Sequence, residues 1–340
     1  MTQAPRIALT FAVGAAGALV FQYAGLPLPF LLGPMLACLV AALLGMQLAT
    51  WTPLTDTMRT ILGVAVGTAI TPAVMGRMGE MALSLALVPL FLLVCGVAGY
   101  PFLRRVAGFD APTAFYSAMP GGLQDMLLFG EEAGGDPRAM SLLHATRILL
   151  IVTILPLILW LWWGIDLTAP PGAPAASLPV WEMALMAVAG IAGWRIAKRV
   201  GMFGASILGP LILAAILSLT GVITHRPPAE AIMAAQFFIG MVVGVKYTGI
   251  TLAEVRRILT AGLGHAAILG VIAAIFAEIA VWFGLAPPLE AILAFAPGGQ
   301  AEMAVLAIVA GADLAYIITH HVLRIVIVIV GAPLVFRFLR

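Results

Sequence analysis

Residues 118–126 read AMPGGLQDM, and residues 296–303 read APGGQAEM. The second stretch is the first met again, about 177 residues later. Pro120, Gly121 and Gly122 recur as Pro297, Gly298 and Gly299, and Asp125 with Met126 recurs as Glu302 with Met303. The register extends outward from there. His144 and Arg147 recur as His321 and Arg324, Asp136 as Asp313, and Gly63 and Gly67 as Gly240 and Gly244. Leu32, Gly33 and Pro34 match Leu208, Gly209 and Pro210, one residue off that register. Matches at Gly, Pro, His and Arg carry more information than matches at interchangeable Leu and Ala. The chain is therefore a duplication.

Composition says where the duplication lives. Of 340 residues, 63% are hydrophobic and 9% charged, and the mean hydropathy is +1.12. A soluble core of this size does not go with so few charges. Apolar stretches of about 18–25 residues recur throughout, long enough to cross a hydrocarbon layer of roughly 30 Å. The expected fold class is an all-α polytopic membrane protein. Ile7 to Ala24 is long for a signal-peptide core, and no soluble domain follows it, so it reads as the first span. Cys38 and Cys95 both lie in apolar segments and imply neither a disulfide nor a redox pair. The net charge of +2 says little about partners. No basic arm or soluble domain is present to bind nucleic acid.

Each copy reads as five spans and one short interrupted segment. The first copy, residues 1–164, places spans near 7–25, 28–48, 57–75, 80–103 and 139–163. The second, residues 180–340, places them near 180–198, 204–223, 231–249, 260–284 and 314–336. The interrupted segments, about 111–133 and 288–311, each hold two apolar pieces too short to span, meeting at Pro-Gly-Gly. Proline lacks an amide proton and glycine is a poor helix former, so the helix is expected to break there.

If each interrupted segment is a re-entrant hairpin, thirteen basic residues fall on one face, among them Arg6, Arg59, Arg104, Arg138, Lys246, Arg257 and Arg340. Arg77 and Arg226 alone fall on the other. By the positive-inside rule this predicts a bacterial cytoplasmic (inner) membrane protein with both termini cytoplasmic. Trp160, Trp162, Trp163 and Trp181 then gather at the opposite interface. Five spans is an odd number, so the second copy enters with opposite orientation and the halves form an inverted repeat. The Pro-rich stretch 165–179 has no basic residue and reads as an external linker. The alternative is twelve spans and parallel repeats, which would move Arg138 outside.

The breaks are where chemistry is expected. Irregular backbone at membrane depth is tolerated against protein or a water-filled cavity. Amides at Gly121, Gly122, Gly298 and Gly299, with the half-helix N-termini after them, would favour an anion. Gln124, Asp125, Gln300 and Glu302 sit just beyond. The plain alternative is a structural kink with first-turn acids as helix caps. His144 with Arg147, and His321 with Arg324, lie three apart and share a helix face. An arginine within a span pairs with an acid or faces water. One reading locks Arg147 to Asp125 and Arg324 to Glu302; the other makes the pair a substrate ligand or a histidine-gated proton relay. Asp136-Pro137 has the order of a helix start, and Asp136 and Asp313 both read as caps. The Leu-Gly-Pro breaks either abut the hairpin tips or mark tight packing. His265 and Glu278 are ionisable within one span but lack a repeat partner. The five histidines show no metal-ligand spacing, and the methionines read as ordinary apolar filling.

The repeated LLGPML (31–36), AMPGGLQDM and HATR (144–147), answered by ILGPLI (207–212), APGGQAEM and HHVLR (320–324), resemble the bacterial membrane AbrB-type duplication family over nearly the whole chain. Members are variously called AbrB-family transcriptional regulators and putative ammonia monooxygenases. The resemblance implies membrane location, internal duplication and, in some members, a link to regulation of gene expression. It does not supply a DNA-binding module, and a monooxygenase would need metal ligands or a cofactor motif that this sequence lacks. The expected function is a secondary transporter of a small anion or carboxylate, not an enzyme, with its site between the two Pro-Gly-Gly hairpins. It would use no cofactor beyond a coupling H+ or Na+, carried by Asp125 and Glu302. The expected partners are the anionic substrate and the lipid bilayer, with a homodimer left open. A membrane regulator or sensor is the alternative, and a membrane oxidoreductase the remote one.

Overall fold

The computed structural model describes residues 3–72, 76, 79–202 and 204–339, excluding the side chains of residues 124, 252, 253, 255 and 339. Arg77, Arg340 and residues 73–75 of the third expected span lie outside the described residues. Among the described residues there are helices and no strands. They are α1 (Gln3–Tyr23), α2 (Pro29–Leu43), α3 (Thr52–Gly67), α4 (Ala82–Pro101), α5 (Ala111–Ala118), α6 (Leu123–Glu132) and α7 (Pro137–Trp163) in the first copy. In the second they are α8 (Val180–Arg199), α9 (Ala205–Leu219), α10 (Ala229–Val245), α11 (Leu252–Trp282), α12 (Pro288–Phe295), α13 (Gln300–Val309) and α14 (Leu314–Leu339). Among the described residues, six segments are long and apolar enough to cross a membrane: α1, Ala82–Val106, α7, α8, Arg256–Trp282 and Leu314–Phe338. The chain is a polytopic all-α membrane protein.

The other four expected spans are shorter than read from sequence. α2 and α9 have 15 residues each, about 22 Å at 1.5 Å per residue. Left-handed backbone cuts both at matching points. Leu28 (φ 48) and Gly204 (φ 57) precede the two helices, and Gly45 (φ 87) and Gly221 (φ 72) follow them. A left-handed residue ends helical hydrogen bonding, whatever the apolarity around it.

The chain packs as two compact units, and each draws on both sequence copies. Unit 1 comprises Met1–Met78, Thr153–Gly249 and Ala301–Ala315; unit 2 comprises Gly79–Val152, Ile250–Gln300 and Tyr316–Arg340. Unit 1 is built on glycine contacts between backbones. Gly17 of α1 lies against Gly33 of α2, and Gly193 of α8 lies against Gly209 of α9. Gly63 and Gly67 of α3 meet the carbonyls of Ile207 and Leu211 on α9, and Gly240 and Gly244 of α10 meet those of Leu31 and Met35 on α2. Small residues let apolar helices approach until their backbones touch, the main source of helix adhesion where lipid offers no hydrophobic drive. The Leu-Gly-Pro motifs thus belong to tight helix packing in unit 1.

Unit 2 has an aromatic core. Phe91 of α4 stacks edge-on against Phe276 of α11 and Phe295 of α12, with centroids 5.4 and 5.6 Å apart. Phe115 and Tyr116 of α5 pack on Phe336 of α14 at 5.2 Å each. A capping box starts α11: the Thr251 hydroxyl accepts from the Glu254 amide, and the Glu254 carboxylate accepts from the Thr251 amide at 2.8 Å. Residues 104–109, 138 and 254–257 gather at one end of this unit. Arg138 Nε lies 2.7 Å from Glu254 Oε1, Arg257 donates to Gly108 O at 3.2 Å, and Arg104 donates to Phe109 O at 2.9 Å.

Candidate functional site

Both Pro-Gly-Gly stretches lie in unit 2, and each interrupts a helix. Helical conformation ends at Ala118 and resumes at Leu123 in the first copy; it ends at Phe295 and resumes at Gln300 in the second. The first interrupted segment doubles back on itself, since the Asp136 amide donates to the Thr113 hydroxyl at 2.8 Å. Asp136 then starts α7 as expected, its Oδ1 accepting from the amides of Arg138 (2.9 Å) and Ala139 (3.1 Å). Asp313 stands in the matching place before α14.

A broken helix has two polar ends. The carbonyls at the end of the first half have no partners one turn on, and carry the negative end of the dipole. The histidine-arginine pair serves this end. Arg324 Nη1 donates to Ala296 O at 2.8 Å, and Nη2 to Gly298 O at 3.0 Å. Arg147 Nη1 donates to Met119 O at 3.2 Å, the equivalent carbonyl of the first copy. Both arginines are buried, at 1% and 3% exposure for Arg147 and Arg324. A cation this deep is sustained only by such charge-assisted bonds.

His321 orients its arginine. Its Nε2 lies 2.9 Å from Leu293 O, and its Nδ1 lies 3.3 Å from Arg324 Nη2. A carbonyl only accepts and a guanidinium only donates, so Nε2 carries the proton and Nδ1 the lone pair. That tautomer is a neutral imidazole. His144 is buried at the matching position. The described partners of Arg324 are two carbonyls and this imidazole, and its Nε, also buried, has no partner.

The acids serve the opposite end. Asp125 is the third residue of α6, and its carboxylate lies against Gly122. Glu302 is the third residue of α13 and is buried. A carboxylate in a first helical turn meets the positive end of the dipole. The boundary between the units falls between Gln300 and Ala301. Unit 2 therefore holds Pro120, Gly121, Gly122, Asp125, His144, Arg147, Pro297, Gly298, Gly299, Gln300, His321 and Arg324, while Glu302 belongs to unit 1. The Gln124 side chain lies outside the described residues. The Gly121 amide is taken by Met119 O at 2.9 Å, so it is not an open donor.

Sequence reasoning missed the carbonyls of Met119, Ala296, Gly298 and Leu293, which have no side-chain signature. His265, which lacks a repeat partner, also received no role from the sequence. That buried residue packs over the first break: a methyl group at Gly99 would sit 2.9 Å from His265 Nε2 and 3.2 Å from the Ala118 side chain. Among the described residues, no three His, Cys, Asp or Glu side chains are grouped to hold a metal ion.

Residues 30–340 match the family model described as transition state regulatory protein AbrB. The chain is 27% identical over 357 residues to the uncharacterized protein YhjN of Bacillus subtilis (strain 168), covering 96% of this chain and 91% of that one. It is 25% identical over 329 residues to the putative regulator AbrB of Escherichia coli (strain K12), covering 92% and 90% respectively.

Proposed function

This chain belongs to the AbrB family, and we propose that it is a secondary transporter of a small anion or carboxylate, working at the two interrupted helices. The observation that carries the reading is the seat of Arg324. Two of its nitrogens hold the carbonyls of the break, and its buried Nε is left with no protein partner. Broken helices facing charged groups near the bilayer midplane are where transporters bind substrate and coupling ions. The donors offered to the anion are Arg324, Arg147 and the amides of Gly122, Gly298 and Gly299. Asp125 and Glu302 are the carriers for a coupling proton or sodium ion. No cofactor and no covalent chemistry enter this reading. The protein sits in the bacterial inner membrane with both termini cytoplasmic, as the distribution of basic residues favours. The gathering of Arg104, Arg138 and Arg257 at one end of unit 2 supports that topology. The assembly is the protein with its lipid bilayer, as a monomer or a homodimer.

The printed name of the E. coli relative, a putative regulator, favours a second reading: a membrane sensor that binds the same anion without flux and is linked to gene expression. One experiment separates the two. Reconstituted protein on a solid-supported membrane is challenged with small anions and carboxylates across pH and sodium gradients. A substrate-dependent charge displacement that disappears in Arg147→Ala and Arg324→Ala establishes transport. Saturable binding of the same anion, with neither current nor tracer uptake, establishes the sensor.

A further inference from the structure

Unit 1 contains a cavity of about 300 Å³ whose wall is formed by the ends of α1 and α2, by α10, and by residues 167–171 of the segment joining the copies. This is at the lower end of the range for small-molecule sites. Leu26, Leu28, Phe30, Met233 and Val309 give it an apolar lining. None of its lining residues is an acid or a base. Three observations set it apart from a packing defect.

The first is Gln236 on α10. It lines the cavity, is 3% exposed, and its side-chain nitrogen has no hydrogen-bond partner. A buried amide donor left unmatched is costly and uncommon in native structures. The other polar side chains do not serve it: the Thr168 hydroxyl is engaged by Asp166 at 2.6 Å, and Gln22 is exposed.

The second is the counterpart of Gln236 in the other copy. In the register of Gly63 and Gly240 that position is Arg59, which is partly exposed and lies 3.6 Å from Asp56. At this position one copy carries a partly exposed charge and the other a buried neutral amide.

The third is Leu28. The residue before α2 takes a left-handed conformation (φ 48), and the matching residue before α9 is Gly204 (φ 57). Glycine holds this backbone without strain, and a branched side chain does not. Leu28 is the sole non-glycine residue with positive φ among those described, is 1% exposed, and has its side chain on the cavity wall. Its amide is bonded to Leu167 O at 3.0 Å. Backbone strain held in place by surrounding structure clusters at active sites and ligand clamps.

We infer that this cavity binds a small neutral amphiphile, an apolar body bearing one hydroxyl or carbonyl oxygen that accepts from Gln236. The absence of charge from the wall excludes an anion or a cation as the favoured ligand. This site shares none of the residues proposed to hold the anion or the coupling ion, although Val309 at the far end of α13 closes part of its wall, and it stands whether or not transport does.

The test is photolabelling of the full-length protein in lipid nanodiscs with a diazirine-bearing octanol, adducts being mapped by mass spectrometry. Adducts are expected on Phe30, Met233 or residues 167–171, and excess plain octanol should displace them. Gln236→Leu, which removes the unmatched donor, should cut cavity labelling about fivefold, the weight of one hydrogen bond. Labelling of lipid-facing residues is the internal control and should not change. Met233→Trp, which fills the space, should abolish cavity adducts, and it keeps the test valid if Gln236→Leu fails to fold. A matched diazirine-bearing carboxylate should leave the cavity unlabelled. The inference is overturned if cavity labelling is absent, does not saturate, survives Gln236→Leu at full strength, or is stronger with the carboxylate.

Discussion

Replacing Arg324 by methionine isolates what its guanidinium does. The substitution keeps a long side chain in the same space and removes donors from Ala296 O (2.8 Å) and Gly298 O (3.0 Å). Both carbonyls are then left in an apolar surrounding with no donor. At about 1–3 kcal/mol for each unmatched group, the loss is about 2–6 kcal/mol. The desolvation penalty of the buried cation disappears at the same time and trims this figure. Removal of one side of a buried polar pair is nevertheless destabilising on balance, because the other side stays buried. Arg324→Lys keeps the charge but not the fork, and a single ammonium does not reproduce both bonds. It should fall between the two. The exposed Arg337, on the same helix, is the control, and Arg337→Met should lie within about 0.5 kcal/mol of the parent. The measurement is equilibrium unfolding in one detergent, followed by tryptophan fluorescence. If Arg324→Met unfolds with the parent, the guanidinium is not what satisfies the break, and the account of the repeated His-x-x-Arg motif fails.

Gly63→Ala and Gly240→Ala should each destabilise by about 1–3 kcal/mol, because the added methyl meets a carbonyl of the facing helix. Gly270→Ala, in open space within α11, should instead stabilise by about 0.5–1 kcal/mol in the same unfolding assay. The Glu254 carboxyl is held down at about 2, first by the Thr251 hydroxyl, then by the Thr251 amide and Arg138. A depressed acid stabilises above its ordinary value of 4.5 and loses that contribution as pH falls toward 2. The unfolding midpoint should therefore drop between pH 5 and pH 2, measured at about those limits, and Glu254→Gln should flatten that drop. Cysteines placed at 104, 138 and 257 should all react with an impermeant maleimide from the cytoplasmic side of oriented vesicles; labelling of 104 and 138 from opposite sides would sink the proposed topology.

Much of this architecture was legible before any coordinates. Pro120-Gly121-Gly122 and its repeat break a helix because proline has no donor and glycine favours no helix, and both facts belong to the residues themselves. Asp136-Pro137 announces a helix start for the same local reason. What the residues did not announce was their partners. One of the two readings of the sequence gives Arg324 an acid, yet its described bonds go to His321 and to two main-chain carbonyls, which every residue has. The separation from Ala296 to Arg324 equals that from Met119 to Arg147, but this has meaning only once the helix paths are known. Recurrence gives His265 no role because it has no counterpart, although it packs over the first break. Span lengths were overestimated near Gly45 and Gly221, where backbone handedness and not hydropathy ends the helix.

The glycine contacts of unit 1 bear on how the protein is made. Gly63 and Gly67 in α3 rest on α9, and α2 waits for Gly240 and Gly244 in α10. Ile207 leaves the ribosome roughly 140 residues after Gly63, so at about 5–20 residues per second the first helices stand unpartnered for on the order of ten seconds. During that interval the notches of α3 face lipid or the insertion machinery. A gene cut within codons 165–179 should yield two fragments that are each degraded when expressed alone and that rescue one another when produced together. The duplication is thus one of sequence, while the two copies become obligate companions at the moment of assembly.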